Sequence, residues 1–219
     1  LFESCASGGN RFDPGMLYYA PQAWTSDNSD AVERQKIQYG TSMCYPLSSM
    51  GSHVSVVPNH QVNRVTPLHT RANTAYFGTF GYELDLGKLS AEEIAEVKDE
   101  IAFMKEYREI FQFGTFYRLQ SPFEHNVMAW MCVSGDQKTA IVGWYRTLNR
   151  VNDRFARVRL AGLLPDTLYE DSRSGARCYG DELMHYGLIT TDGTTGEPHP
   201  EDGLTTDFDS RLYVLNAVE

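Results

Sequence analysis

One carboxylate, Asp27, stands where the sequence could support acid–base chemistry. It lies in residues 24–28, WTSDN, and a glycine-rich turn at residues 3–15 precedes it by about twenty residues. An indole can stack on a sugar face, exposed backbone amides can bind hydroxyls, and a carboxyl group can move a proton. Glycoside hydrolysis normally needs two carboxylates, and only one convincing candidate is present. The two segments therefore predict half of a sugar-cleaving site.

The residue types alone leave structural alternatives open. Asp27 could be a helix cap or an exposed loop carboxylate. Cys5 is most simply a small buried strand residue, and its other role is a pocket wall. Gly8 could be a turn glycine, or its missing side chain could let a sugar approach the backbone. Trp24 could equally be a core residue or a stacking platform.

Composition excludes several classes of function. The chain has 219 residues, 42% of them hydrophobic, and a formal net charge of −10, which disfavours nucleic acid as a partner. It contains no apolar run of the ~20 residues that a membrane span requires. Four scattered cysteines argue against a zinc site or a disulfide framework, so we expect no metal site and a cytoplasmic location. We also expect no cofactor.

Residues 1–112 alternate between strand and helix about four times, which predicts an α/β fold. The clearest helix spans 90–112, because Ser90 and Glu93 form a capping box and apolar residues follow at spacings of three and four. Two further helices are predicted, one that Ser29 or Asp30 can cap and Gly40 can end, and one over 60–73. The simplest architecture is part of a βα barrel. Four units cannot close an eight-stranded barrel, so an N-terminal half is expected to be missing.

Residues 113–219 have a different sequence pattern, without the alternation of strand and helix. Short apolar and aromatic runs at 116–119, 127–134, 139–146, 157–160 and 210–215 are separated by turn signals. This pattern predicts an antiparallel β-sandwich of about 105 residues, which follows the catalytic barrel as a second domain.

A family resemblance rests on five ordered blocks. They are FESCASGG with RFD at residues 2–13, WTSDN at 24–28, QYGTS at 38–42, MGSHVS with PNHQ at 50–61, and FGYEL at 80–84. By these blocks the chain resembles family-36 glycoside hydrolases, the microbial α-galactosidases. The resemblance extends over essentially the whole chain. The resemblance implies a retaining enzyme that releases terminal α-galactose from melibiose, raffinose and similar oligosaccharides.

The same resemblance implies a fold and site roles. Residues 1–112 become strands 5–8 of a (β/α)₈ barrel, and residues 113–219 the C-terminal sandwich. Asp27 becomes the acid/base, with Cys5, Gly8 and Trp24 in the galactose pocket. The family's nucleophile, in a Lys-Trp-Asp motif, is absent, so the isolated chain is expected to be inactive. Its partners would be α-galactosides and the missing N-terminal half, in a bacterial homo-oligomer that is tetrameric in similar enzymes.

Two other functions fit the sequence. The chain could be a non-catalytic carbohydrate-binding or assembly fragment. It could also come from a relative with another specificity, an α-N-acetylgalactosaminidase or a galactosyl transferase. An upstream Lys-Trp-Asp block would favour an enzyme over a binding module, and pocket residues outside this chain would decide the specificity.

Overall fold

The computed structural model describes residues 2–5, 12–150, 156–190 and 207–218. The chain divides into two compact units, Leu1–Gln112 and Phe113–Glu219. Among the described residues, none of the helices combines the length and apolar character that crossing a bilayer would need.

The first unit is built on a parallel sheet. Its described strands are β1 (Glu3–Ser4), β2 (Gln22–Trp24), β3 (Met50–Ser55) and β4 (Thr79–Glu83), which pair in that order. The helices are α1 (Pro14–Leu17), α2 (Ala31–Thr41), α3 (Leu68–Ala75) and α4 (Ala91–Phe113). The alternation of strand and helix agrees with the expected α/β pattern.

Local capping sets the helix starts. The Glu93 carboxylate accepts a bond from Ser90 N at 2.8 Å, and Ser90 Oγ accepts one from Glu93 N at 3.2 Å, which is the expected capping box. The helix expected over 60–73 begins instead at Leu68. The Asn59 side chain accepts bonds from the amides of Gln61 and Val62, and this local turn competes with a helix at that point.

A buried amide joins the elements of the first unit. Gln38 of α2 is fully buried, and its Nε2 donates to the carbonyls of Thr74 and Phe77 at 3.1 and 3.0 Å. Its Oε1 accepts from Ser52 Oγ of β3 at 2.9 Å. Because each of these groups is satisfied, the network fixes α2 against α3 and β3 without leaving a costly unpaired dipole.

The second unit is built on an antiparallel sheet. Its strands are β5 (Thr115–Gln120), β6 (Val127–Val133), β7 (Thr139–Arg146), β8 (Arg157–Val158), β9 (Leu168–Asp171), β10 (Arg177–Tyr179), β11 (Leu188–Ile189) and β12 (Asp209–Ala217), with α5 at Gly180–His185. Six of them pair in the order β10-β9-β12-β7-β6-β5, and β11 pairs with β8.

The core of this unit follows the period-two pattern of its central strands. Trp144 of β7, Met131 of β6 and Leu215 of β12 are buried in one cluster with Val158 of β8 and Leu183 of α5. The expected antiparallel strands are therefore present. The division into two sheets of a sandwich stays a prediction.

Candidate active site

The segments that carry Cys5 and Asp27 leave the parallel sheet at the same edge. Cys5 follows β1 directly, and Asp27 lies three residues after the end of β2. The two strands pair in parallel, with Ser4 opposite Ala23. Carboxyl ends of parallel strands meet at one edge of a sheet, which is where α/β enzymes build their active sites. Both residues are exposed there.

The start of the Asp27 loop is fixed to β3. Thr25 Oγ1 donates to the carbonyl oxygen of Gly51 at 2.7 Å. Arg34 Nη1 donates to the carbonyl oxygen of Ser26 at 3.0 Å, and its Nη2 donates to the same Gly51 carbonyl. The segment immediately before Asp27 is therefore held by two hydrogen bonds, one to β3 and one to Arg34, and Arg34 is itself bonded to β3.

The end of the loop is fixed by Asp30. This side chain is buried and caps α2 through the amides of Val32 and Glu33, at 3.1 and 3.0 Å. It also forms an ion pair with Arg64. Asp30 is thus a structural cap, as its position in the sequence indicated. With both ends held, Asp27 lies on a short, well-defined loop.

Ser29 adds a further anchor at this end of the loop. Its carbonyl oxygen accepts a bond from Ser55 Oγ at 2.7 Å, at the carboxyl end of β3. Strand β3 therefore contacts the loop on both sides of Asp27.

Trp24, the last residue of β2, is packed against protein groups. The side chain is 9% exposed. Its ring centroid lies 4.6 Å from the His53 ring, and the Arg34 guanidinium carbon lies 4.6 Å from the indole. A Cβ on Gly51 would come within 2.9 Å of the indole Cε3, so glycine permits this approach. The stacking of Trp24 on a sugar stays a prediction.

His53 of β3 is half-buried between Trp24 and β4. A Cβ at Gly81 would lie 2.9 Å from its Cδ2, so the ring is packed closely on that side. Burial lowers the pKa of the imidazole below its usual 6.5, against opposing effects of Glu83 and Glu3. The positive charge of Arg34 also lowers this pKa. The lowered pKa favours the neutral form of this imidazole, which is packed between Trp24 and β4.

The other predicted site residues have different outcomes. Gly8 lies outside the described residues. Cys5 carries a free thiol, which agrees with a pocket wall as readily as with an ordinary surface position. Among the described residues, no group of three or more His, Cys, Asp or Glu side chains could hold a metal ion.

Sequence reasoning did not identify Arg34 or Gly51 as part of this region. Arg34 belongs to the second turn of α2, a helix whose remaining residues look like an ordinary outer helix. Its contacts reach eight residues back to Ser26 and seventeen forward to Gly51. The sequence signal that could have indicated a role is an arginine one turn after the Asp30 cap.

Comparison with known proteins covers both units. The melibiase family profile matches residues 1–114, and the profile of the glycosyl hydrolase family 36 C-terminal domain matches residues 127–215. The α-galactosidase AgaA of Geobacillus stearothermophilus is 52% identical over the whole chain, which spans 28% of that protein. The bifunctional α-galactosidase/sucrose kinase AgaSK of Mediterraneibacter gnavus is 50% identical over 86% of the chain, which spans 20% of it.

Solved structures similar to this chain are also α-galactosidases. The crystal structure of AgaA superposes with a TM-score of 0.91 at 51% identity, covering 100% of this chain and 29% of the AgaA chain. Substituted forms of AgaA have been solved in complex with raffinose and with stachyose. The chain thus spans less than a third of the length of these relatives. The two profiles and the identity along its whole length show that this chain belongs to glycosyl hydrolase family 36, alongside the melibiases.

Proposed function

We propose that this chain is the part of a retaining α-galactosidase that carries the general acid/base, Asp27. The observation that carries the proposal is the position of Asp27, on a loop held by hydrogen bonds at the carboxyl edge of the parallel sheet, the edge at which the Cys5 segment also leaves β1. Relatives that match the whole chain are α-galactosidases, and one of them binds raffinose and stachyose. The substrates are terminal α-galactosides of this kind.

In this mechanism the chain supplies one of two carboxyl groups. A second carboxylate attacks the anomeric carbon and forms a galactosyl ester, while the Asp27 carboxyl group gives its proton to the departing glycosidic oxygen. The Asp27 carboxylate then takes a proton from water, whose oxygen attacks the anomeric carbon and releases the ester. Two inversions at this carbon leave its configuration unchanged.

The nucleophile belongs to a part of the protein that this chain does not include. The four parallel strands are proposed to be strands 5–8 of a (β/α)₈ barrel. Within the described residues, β1 and β4 each have one strand partner, so each offers an edge to a further strand. An N-terminal half would pair with both edges and close the barrel. The antiparallel unit is proposed to be the C-terminal sandwich of the enzyme.

The test compares variants of the full-length protein on two substrates. Asp27→Asn is expected to lose far more activity on raffinose than on an aryl α-galactoside with a good leaving group, because the latter needs little protonation. Asp99→Asn, an exposed helix position, is the control and keeps both activities. Equal losses on the two substrates would contradict the acid/base role.

The isolated 219-residue chain is expected to be inactive. Turnover by this chain would contradict the proposal that the second catalytic carboxylate lies outside it.

If the full-length protein hydrolyses neither substrate, the enzymatic proposal is wrong and a carbohydrate-binding or assembly role takes its place. If it prefers an N-acetylgalactosaminide, or transfers galactose to an acceptor sugar in preference to water, Asp27 remains the proposed acid/base. The proposed substrate or acceptor is then wrong.

A further inference from the structure

Arg34 is a buried cation held by main-chain carbonyl groups. Its side chain is only 2% exposed. The two Nη atoms donate to the carbonyls of Ser26 and Gly51, and the guanidinium carbon lies 4.6 Å from the centroid of the Trp24 ring. Removing a cation from water is costly, and carbonyl dipoles and an aromatic face offset part of that cost.

The two carbonyl groups belong to different segments. Ser26 immediately precedes Asp27 in the loop after β2, whereas Gly51 is part of β3. One planar guanidinium therefore joins the peptide next to Asp27 to the neighbouring strand. A lysine at this position would bring one ammonium group on a flexible stem and would not hold both carbonyls in a fixed geometry.

We propose that Arg34 is a positioning residue for Asp27. This proposal rests on the proposed function. By fixing the carbonyl of Ser26 relative to β3, Arg34 sets where the Asp27 carboxyl group stands above the strand ends. A general acid must lie within hydrogen-bonding reach of the leaving oxygen. A displacement of about 1 Å can cost about a hundredfold in rate.

The experiment uses the full-length protein with Arg34→Lys. We expect kcat on raffinose to fall by about a hundredfold, and kcat on an activated aryl α-galactoside to fall by less than about tenfold. KM should change little for either substrate. A residue that only supports the fold would lower both activities by the same factor, so equal losses would overturn the proposal.

Arg71→Lys is the matched control. Arg71 is also a buried helical arginine, and its Nη1 donates to a β3 carbonyl, that of Ser55, at 2.7 Å. It does not bond to the segment that immediately precedes Asp27. We expect this variant to lose thermal stability and to change the two activities equally. Selective loss on raffinose in Arg71→Lys as well would overturn the specific role of Arg34.

Thr25→Val covers the case in which Arg34→Lys fails to fold. This nearly isosteric change removes the Thr25 bond to the same Gly51 carbonyl. We expect a smaller effect of the same kind, a loss of about threefold to tenfold on raffinose and less on the aryl substrate. If Arg34→Lys does not fold, equal activity losses on the two substrates in Thr25→Val would refute the proposal.

Asp27→Asn is measured in parallel to separate the two claims. If Asp27→Asn shows selective loss on raffinose and the Arg34 and Thr25 variants do not, the positioning role alone is wrong. If Asp27→Asn itself shows no selectivity, the acid/base assignment is wrong and the positioning role falls with it.

Discussion

The carboxyl group of Glu100 offers a quantitative test of the first unit. This residue of α4 is 6% exposed, and its carboxyl group accepts a bond from the Tyr82 hydroxyl of β4 at 2.5 Å. Burial raises its pKa from 4.5 to about 7, and the nearby Glu96 carboxylate raises it too. The Tyr82 bond and the positive charge of Arg71 act in the opposite direction but do not outweigh burial.

The sign of the pH effect follows from this shift. The folded state binds the proton more tightly than the unfolded state, so the neutral carboxyl group contributes stability that is fully present below pH 4.5. That contribution is lost as the pH rises through about 7. The pKa difference of about 2.5, at 1.36 kcal/mol per unit, sets an upper limit of about 3 kcal/mol for the loss.

The assay is denaturant unfolding of the full-length protein and its Glu100→Gln variant at pH 5 and pH 8. Glutamine stays neutral, so the variant should gain stability relative to the wild type by about 1–3 kcal/mol between the two pH values. Glu109→Gln, at an exposed position of the same helix, should show no such change. An equal difference in stability between Glu100→Gln and wild type at both pH values would show that the pKa of Glu100 is not raised by folding.

Three smaller predictions concern packing, capping and the pocket. Gly78→Ala should destabilise by about 1–3 kcal/mol in chemical unfolding, because its Cβ would lie 2.8 Å from the Met50 carbonyl oxygen. Gly40→Ala is its matched control in open space and should stabilise α2 by up to about 1 kcal/mol. Ser90→Ala should cost about 1 kcal/mol by loss of the capping box, and an unchanged unfolding midpoint would contradict this. Cys5→Ser should weaken catalysis by about 1–2 kcal/mol in kcat/KM, and a mechanism-based galactoside should not label the Cys5 thiol.

The parts of the fold that depend on local sequence were predictable. The Ser90–Glu93 cap, the Asp30 cap and the loop position of Asp27 all follow from patterns within a few residues. The strand β9 was not predicted, because it has four residues and is held by pairing with β12, where Asp171 lies opposite Leu215. The helix expected from residue 60 does not begin there, because the side-chain oxygen of Asn59 accepts hydrogen bonds from the amides of Gln61 and Val62.

The loop position of Asp27 could be predicted from the sequence, whereas the residues that hold this loop could not; the acid/base role of Asp27 stays a prediction. Asp27 could be identified from the sequence because the residues around it form a short, distinctive block. Arg34 could not be identified from the sequence, since its hydrogen-bond partner Gly51 lies seventeen residues away on strand β3. Periodicity places an arginine on a helix face, but only the folded chain shows that it points at two carbonyl groups.

The proposed role of Asp27 is that of the acid/base in a retaining galactosidase. It is tested most directly by the product that the full-length Asp27→Asn variant forms from an aryl α-galactoside in the presence of azide. Azide can attack the galactosyl ester without base assistance, so turnover should be restored and the product should be α-galactosyl azide, which has the configuration of the substrate. Formation of the β-azide would identify Asp27 as the nucleophile, and an absence of both rescue and azide product would contradict the acid/base assignment.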